Sequence, residues 1–189
     1  TGGIEGAWKY VGRLYRLVVN ADFNGTGGDV KAMRQRIHQT IDLVTQDFER
    51  FHFNKAIARL RELSNALEDF STAKGDGKVL REGLEVFTIL INPLMPHLAE
   101  ELWEKLGHST SLVATSWPKA DPELAANDTV TIAIQVNGKL RATITMARDL
   151  SKDAAEAQAR ADPAVQKALE GKTAKKVIVV PNRIVNVVV

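Results

Sequence analysis

The sequence of 189 residues contains no cysteine. That excludes disulfides, thiolate zinc sites and cysteine nucleophiles. Long apolar runs are missing too. Val177 to Val180 is typical of what is there, far below the roughly 20 residues of a membrane span. No charged segment followed by an apolar one opens the chain, so no signal peptide is expected. There is no initiator methionine, and Thr1-Gly2-Gly3 leads directly into a helical pattern. The chain is therefore expected to be a piece of a longer protein, away from membranes, and the lack of cysteine permits a reducing compartment such as the cytoplasm, the expected location. Internal repeats and low-complexity tracts are absent.

Catalytic motifs are absent as well. There is no Gly-x-Ser-x-Gly, no phosphate-cradling glycine loop after a strand and no His-Glu-x-x-His. His97 with Glu100 and Glu101 has the spacing of a helical metal pair. A catalytic site needs three converging ligands, and His38, His52 and His108 lack partners at useful spacing. No catalytic residue, metal or cofactor is expected in these residues.

Strong charge of one sign is also missing: 25 Lys and Arg face 23 Asp and Glu, a net of +2. The distribution is uneven. Residues 1–117 carry 14 basic against 15 acidic side chains, and residues 118–189 carry 11 against 8. The excess of 11 − 8 = +3 points weakly to a polyanion at the C-terminal part.

What is present is an ordinary globular composition, 44% hydrophobic and 25% charged. Up to residue 106 the apolar residues repeat at helical spacing. The stripes are Trp8, Val11, Leu14, Tyr15 and Val18; then Met33 to Phe51; then Ile57 to Phe70; then Val79 to Ile91; then Leu98 to Leu106. Glycine-rich breaks at Gly25 to Gly28 and Gly75 to Gly77 separate them. About five amphipathic helices predict a helical bundle over residues 1–118, with Trp117 packed back on it. From Ser109 to Asp128 Ser, Thr, Pro, Asp and Asn dominate, and residues 119–128 are expected to form a flexible linker.

From residue 129 the period falls to two. Val130 to Val136 and Lys139 to Met146 alternate around Asn137-Gly138, a hairpin signal. A two-residue loop would set Val136 opposite Lys139 and mix apolar and basic rows. A three-residue loop pairing Gln135 with Lys139 and Ile134 with Leu140 gathers the apolar residues on one face. The expectation is therefore a type I turn with a left-handed Gly138 in a bulge, and Lys139 and Arg141 on the polar face. Ser151 and Asp162-Pro163 open two short helices, Gly171 closes the second, and two strands follow. The fold class is a bundle followed by a small α+β domain, residues 129–189, of ββααββ order.

Polyanion candidates follow from spacing. Lys9, Arg13 and Arg16 lie within about 60° on the first helix. In the small domain Asn137, Lys139 and Arg141 surround the hairpin turn, Lys172, Lys175 and Lys176 precede the third strand, and Arg183 lies in the last turn. A basic edge beside a glycine turn suits structured RNA, read by shape and phosphate.

Three stretches resemble the anticodon-binding helical domain of class I aminoacyl-tRNA synthetases. They are Ile4-Glu5-Gly6-Ala7-Trp8-Lys9-Tyr10-Val11, Phe53-Asn54-Lys55-Ala56-Ile57, and Leu90 to Trp103 with its Asn92-Pro93-Leu94-Met95-Pro96-His97 core. Three later stretches, Ser116-Trp117-Pro118, Gln135 to Arg141, and Lys175 to Val188, look like the C-terminal end of the bacterial leucyl-tRNA synthetases. Asn182 departs from the family's glycine, and asparagine tolerates the left-handed backbone such a turn needs. The resemblance implies a leucine–tRNA ligase that works through leucyl-adenylate with ATP and magnesium, the catalytic and editing parts lying outside this chain. It implies tRNA-Leu as partner, a monomer, a bundle along the inner side of the tRNA, and a terminal domain at the elbow and long variable arm. Two alternatives stand beside it. One is a non-catalytic protein-interaction module; the other is the end of an isoleucyl or valyl enzyme, which usually carries zinc-binding or coiled-coil segments absent here.

Overall fold

The first turn of a helix leaves backbone N–H groups without partners, and this chain supplies side chains for them. A computed structural model describes every residue except 1, 170, 172 and 173. The helices are α1 (Gly2–Val19), α2 (Val30–Glu49), α3 (Phe53–Thr72), α4 (Gly77–Ile91), α5 (Pro96–Lys105), a short 3-10 turn (Leu112–Ala114), α6 (Pro122–Ala125), α7 (Lys152–Ala161) and α8 (Pro163–Leu169). The strands are β1 (Thr129–Val136), β2 (Lys139–Ala147), β3 (Lys176–Val180) and β4 (Ile184–Val188). Asp29 caps α2 by accepting from the Ala32 N–H at 2.9 Å. Asp76 caps α4 through the N–H groups of Lys78 and Val79. Ser151 caps α7, and Asp162 accepts from Ala164 and Val165 ahead of α8. The order is a helical bundle followed by ββααββ, and contacts group the chain into Thr1–Ala126 and Asn127–Val189.

In the bundle nine of the 15 residues of α4 are buried. Leu80, Leu84, Phe87 and Leu90 meet Ile37 and Val44 of α2 and Leu63 and Leu67 of α3 in one core. The stripe on α1 enters that core only in its second half: Leu14, Leu17 and Val18 are buried, whereas Trp8 is 76% exposed. Trp117 packs on the bundle as expected. Its Nε1 donates to Thr45 Oγ1 at 2.8 Å and its ring lies edge-on to Phe48.

The stretch 119–128 differs from the free linker expected of it. Asp121 accepts from the Glu123 N–H and Pro122 starts a helix, so α6 winds one turn. It lies on α2, where Gln39 Nε2 donates to the Ala125 carbonyl at 2.9 Å and Gln35 Nε2 to that of Ala126. The Asp121 N–H donates to His38 Nδ1 at 3.1 Å. The boundary between the units accordingly falls after Ala126.

The two glycine-rich breaks belong to each other. Gly27 N–H donates to the Lys74 carbonyl, Asp76 N–H to that of Gly27, and Gly77 N–H to that of Gly25. A Cβ on Gly77 would lie 1.8 Å from the Phe23 carbonyl oxygen, a backbone atom that cannot swing aside. Gly77→Ala is expected to lower stability by about 2–4 kcal/mol, the range of severe overpacking. Urea titration followed by circular dichroism checks this; an unchanged midpoint would mean the two loops part without cost.

In the second unit the sheet order is β2-β1-β4-β3, with β4 parallel to β1 and the other pairs antiparallel. Helices α7 and α8 cover one face, where Ile132, Ile134, Val136, Val185 and Val187 form the core with Ala155, Ala159 and Val165. The hairpin corrects the expected turn. Val136 pairs with Lys139 across a two-residue loop, and Asn137 and Gly138 both have positive φ, 49° and 77°, the signature of a type I′ turn. The extra residue lies inside β2 instead. Gln135 pairs with Leu140 and Ile134 with Ala142, leaving Arg141 in a bulge. The bulge returns Ile144 and Met146 to the core and turns Leu140 out, 60% exposed.

Candidate nucleic-acid interface

Strand directions decide which cations can act together. β1 and β4 run one way, β2 and β3 the other. Lys139 therefore begins β2 at the same end of the sheet where Lys175 and Lys176 lead into β3. Lys139 pairs with Val136, Val136 with Val187, and Lys176 with Val188 one step beyond. Three strand spacings separate the outer strands, roughly 14 Å. Arg141 sits two residues into β2. Arg183 lies in the β3–β4 turn at the opposite end, so it does not join this group. Lys172 lies outside the described residues.

Lys139 and Arg141 do not share a polar face as expected. Lys139 stands opposite the buried Val136, in the phase of the core face at its rim, while Arg141 occupies the bulge. Both are exposed, as are Lys175, Lys176 and Arg183, and none of the five makes an ion pair among the described residues. Residues 129–147 and 174–189, which form the whole sheet and its two turns, contain no acidic residue. Asp128, Asp149, Asp153, Glu156, Asp162 and Glu170 all lie outside those two stretches. The sheet is thus a surface of one sign, the field that attracts a polyanion.

Asn137 is engaged within the fold. Its Oδ1 accepts from the Val189 N–H at 3.1 Å, its own N–H donates to the Val187 carbonyl, and Asn186 Oδ1 accepts from the Gly138 N–H. The basic turn is pinned to β4 before any ligand arrives. At the other end Asn182 does more than tolerate its left-handed φ of 58°. Its amide donates to Asp149 at 2.6 Å and its carbonyl accepts from the Asp149 N–H at 2.8 Å. A glycine could not make this pair.

The face of the sheet away from the helices was not anticipated. Ile178 and Val180 are each 43% exposed, and Gln135 and Asn186 pair with Leu140 and Ile178 across the strands. The signal was available: Val177 to Val180 and Val187 to Val189 are apolar without alternation, as in strands with two apolar faces.

On α1 the three candidates separate. Lys9 pairs with Glu5 at 2.7 Å, both well exposed. Arg13 is committed to the bundle: its Nε donates to Glu68 of α3 at 2.7 Å and its Nη2 reaches the same oxygen. That hydrogen bond holds the guanidinium above its already high ordinary pKa. Arg16 is exposed, with no ion pair among the described residues. The row expected of three cations presents one unpaired cation.

The His97 region does not assemble a ligand set. Glu100 accepts from Ser111 Oγ at 2.5 Å and from the N–H groups of Leu112 and Val113. Glu101 pairs with Lys105 at 3.3 Å. No three His, Cys, Asp or Glu residues converge among those described. The Ser111 hydrogen bond, then that from Leu112, hold the Glu100 carboxyl below the usual glutamate range. A depressed carboxyl stabilises above its unfolded pKa, and the contribution is lost as pH falls through the folded value. Amide exchange at Leu112 and Val113, corrected for intrinsic rates, is therefore expected to speed up on acidification below about pH 4.3. Glu100→Gln should exchange fast at every pH, and NMR would read both.

Residues 30–156 match the family model described as the anticodon-binding domain of tRNA ligase, and the chain belongs to that family. Relatives within it include leucine–tRNA ligases. The chain is 51% identical to a leucine–tRNA ligase of Paramagnetospirillum magneticum and 46% identical to one of Rhodospirillum centenum. These matches cover 99% and 100% of this chain but 23% and 24% of theirs. A solved LeuRS–tRNA–LeuAMS ternary complex from Agrobacterium radiobacter K84 matches 95% of this chain and 24% of that one, at 30% identity and a TM-score of 0.72. The chain thus spans about a quarter of the length of its relatives. No helix among the described residues is long and apolar enough to cross a membrane.

Proposed function

We propose that these residues are the tRNA-holding portion of a leucine–tRNA ligase. The observation that carries this reading is the acid-free sheet with Lys139, Arg141, Lys175 and Lys176 gathered at one end. Phosphates displace counterions when they meet such a group, and structured RNA offers them at the spacing of a backbone. The similarity to a ligase whose solved complex contains tRNA supports the same reading. The small unit meets the elbow and the long variable arm of tRNA-Leu, and the bundle lies along the inner side with Arg16 and Lys9 toward the backbone. Arg183, at the opposite end of the sheet, and Lys172 are further tRNA contacts in this reading.

The complete ligase, a monomeric cytoplasmic enzyme, joins leucine to tRNA-Leu through leucyl-adenylate. ATP and magnesium belong to its remaining part.

Lys139→Ala with Arg141→Ala should weaken tRNA-Leu binding roughly tenfold and lower the salt slope by about 0.7–0.9 per lost contact. Stability should stay within about 0.5 kcal/mol. Lys152→Ala, at the start of α7, is the control. Filter binding against a tRNA lacking the long variable arm completes the test. Equal affinities and parallel slopes for variant and control would remove the sheet from the interface.

The two units move independently about the residues after Ala126. Limited proteolysis should cut first between residues 126 and 129, where the docked α6 ends and β1 has not begun. A single resistant core would contradict it.

A further inference from the structure

The chain has two Asn-Gly pairs, Asn24-Gly25 and Asn137-Gly138. Glycine has no side chain to screen its backbone nitrogen, so the carboxamide of a preceding asparagine is open to attack from that nitrogen. The second pair is exposed at the tip of the hairpin, and both of its reacting groups are held by β4 and the residue after it. The Gly138 N–H donates to Asn186 Oδ1 at 3.1 Å, and Asn137 Oδ1 accepts from the Val189 N–H at 3.1 Å. Attack needs the opposite arrangement, with the Gly138 nitrogen stripped of its proton and turned onto Cγ of Asn137.

The Val189 bond alone would favour that attack, because a donor on the carboxamide oxygen makes Cγ more electrophilic. Lys139 follows Gly138 directly, and Lys175 and Lys176 lie at the same end of the sheet, so the local charge favours an anionic nitrogen. Asn186 opposes both effects. It keeps the proton on the nucleophile and the nucleophile directed at β4.

We propose that Asn137-Gly138 is a deamidation site that β4 holds closed, with Asn186 as the restraining residue. When β4 parts from β1, the Gly138 nitrogen gives its proton to solvent and bonds to Asn137 Cγ. The bond from Cγ to Nδ2 breaks, and Nδ2 takes up a proton and leaves as ammonia. Water then adds to either carbonyl of the succinimide ring and opens it to aspartate or isoaspartate. One water enters, one ammonia leaves, and a neutral carboxamide becomes a carboxylate that is ionised at neutral pH. Isoaspartate also adds a backbone carbon to a turn whose length sets the strand register. The new charge falls among Lys139, Arg141, Lys175 and Lys176. Its effect on tRNA rests on the function proposed for that group; the deamidation itself does not.

Incubation at neutral pH followed by peptide mapping in the mass spectrometer reads Asn24 and Asn137 separately. Asn137 in the 189-residue chain should deamidate at least roughly tenfold more slowly than in a peptide of residues 133–141, because it reacts only from the opened turn. The slowing should equal the open fraction that hydrogen exchange of the Gly138 N–H reports in the unsubstituted chain, a comparison that needs no variant. Asn186→Ala should bring Asn137 toward the peptide rate and leave Asn24 unchanged. Asn186→Asp, which keeps an acceptor for Gly138, should stay slow. Equal rates in chain and peptide would overturn the proposal. So would a slowing that departs from the open fraction by more than roughly tenfold, or an Asn186→Ala chain in which Gly138 exchanges fast while Asn137 still reacts slowly. The separated deamidated chain, and Asn137→Asp, should bind tRNA-Leu more weakly with a salt slope lower by about 0.7–0.9. Deamidation that follows opening but leaves tRNA binding unchanged would remove the basic end from the interface and leave the closed site standing, so the two readings fail separately.

Discussion

Strand β1 hydrogen-bonds to β2 on one side and to β4 on the other, and the two sides make different demands on the same residues. From β4, Asn186 and Val189 reach the two residues of the turn and hold it tight. From the core, Ile144 and Met146 must face α7 and α8. A two-residue turn and strict alternation cannot satisfy both, because the parity is wrong by one. Arg141 absorbs the difference as the odd residue of a bulge. The basic end of the sheet, the exposed Leu140 and the shared core face all follow from that accommodation.

In the bundle, by contrast, polar side chains are mostly structural. Asp47 is buried with Arg59 Nε at 2.6 Å, Glu100 holds the 3-10 turn, and Glu68 holds Arg13. Removing one member of such a partly buried pair leaves the other uncompensated, so these residues tie helices together. On α1 Arg13 is held by Glu68, so fewer cations are left for a partner than its periodicity suggested.

Element types were legible in the sequence because each helix stripe and each alternating strand carries its own period, and Asp, Ser and Pro mark the helix starts. Capping at Asp29, Asp76 and Ser151 is a local matter and reads locally. The turn was misread because its geometry depends on Asn186 and Val189, some 50 residues away. The docking of α6 depends likewise on Gln35, Gln39 and His38 across the bundle. Of the candidate site, the basic residues were visible but not their grouping. Arg183 leaves the cluster and Arg13 is taken up by Glu68 only once strand order and helix register are known.

The parallel partner of β1 has a consequence for the timing of synthesis. Ile134 pairs with Val185, so the hairpin emerges from a ribosome about 50 residues before the strand that completes its inner edge. At about 5–20 residues per second, the apolar side of β1 waits roughly 3–10 seconds with that edge unpaired. The bundle, whose helices neighbour one another in sequence, can close during the same interval. A nascent chain would thus carry a finished helical body and an open hairpin together, and the hairpin is where a chaperone would have reason to bind.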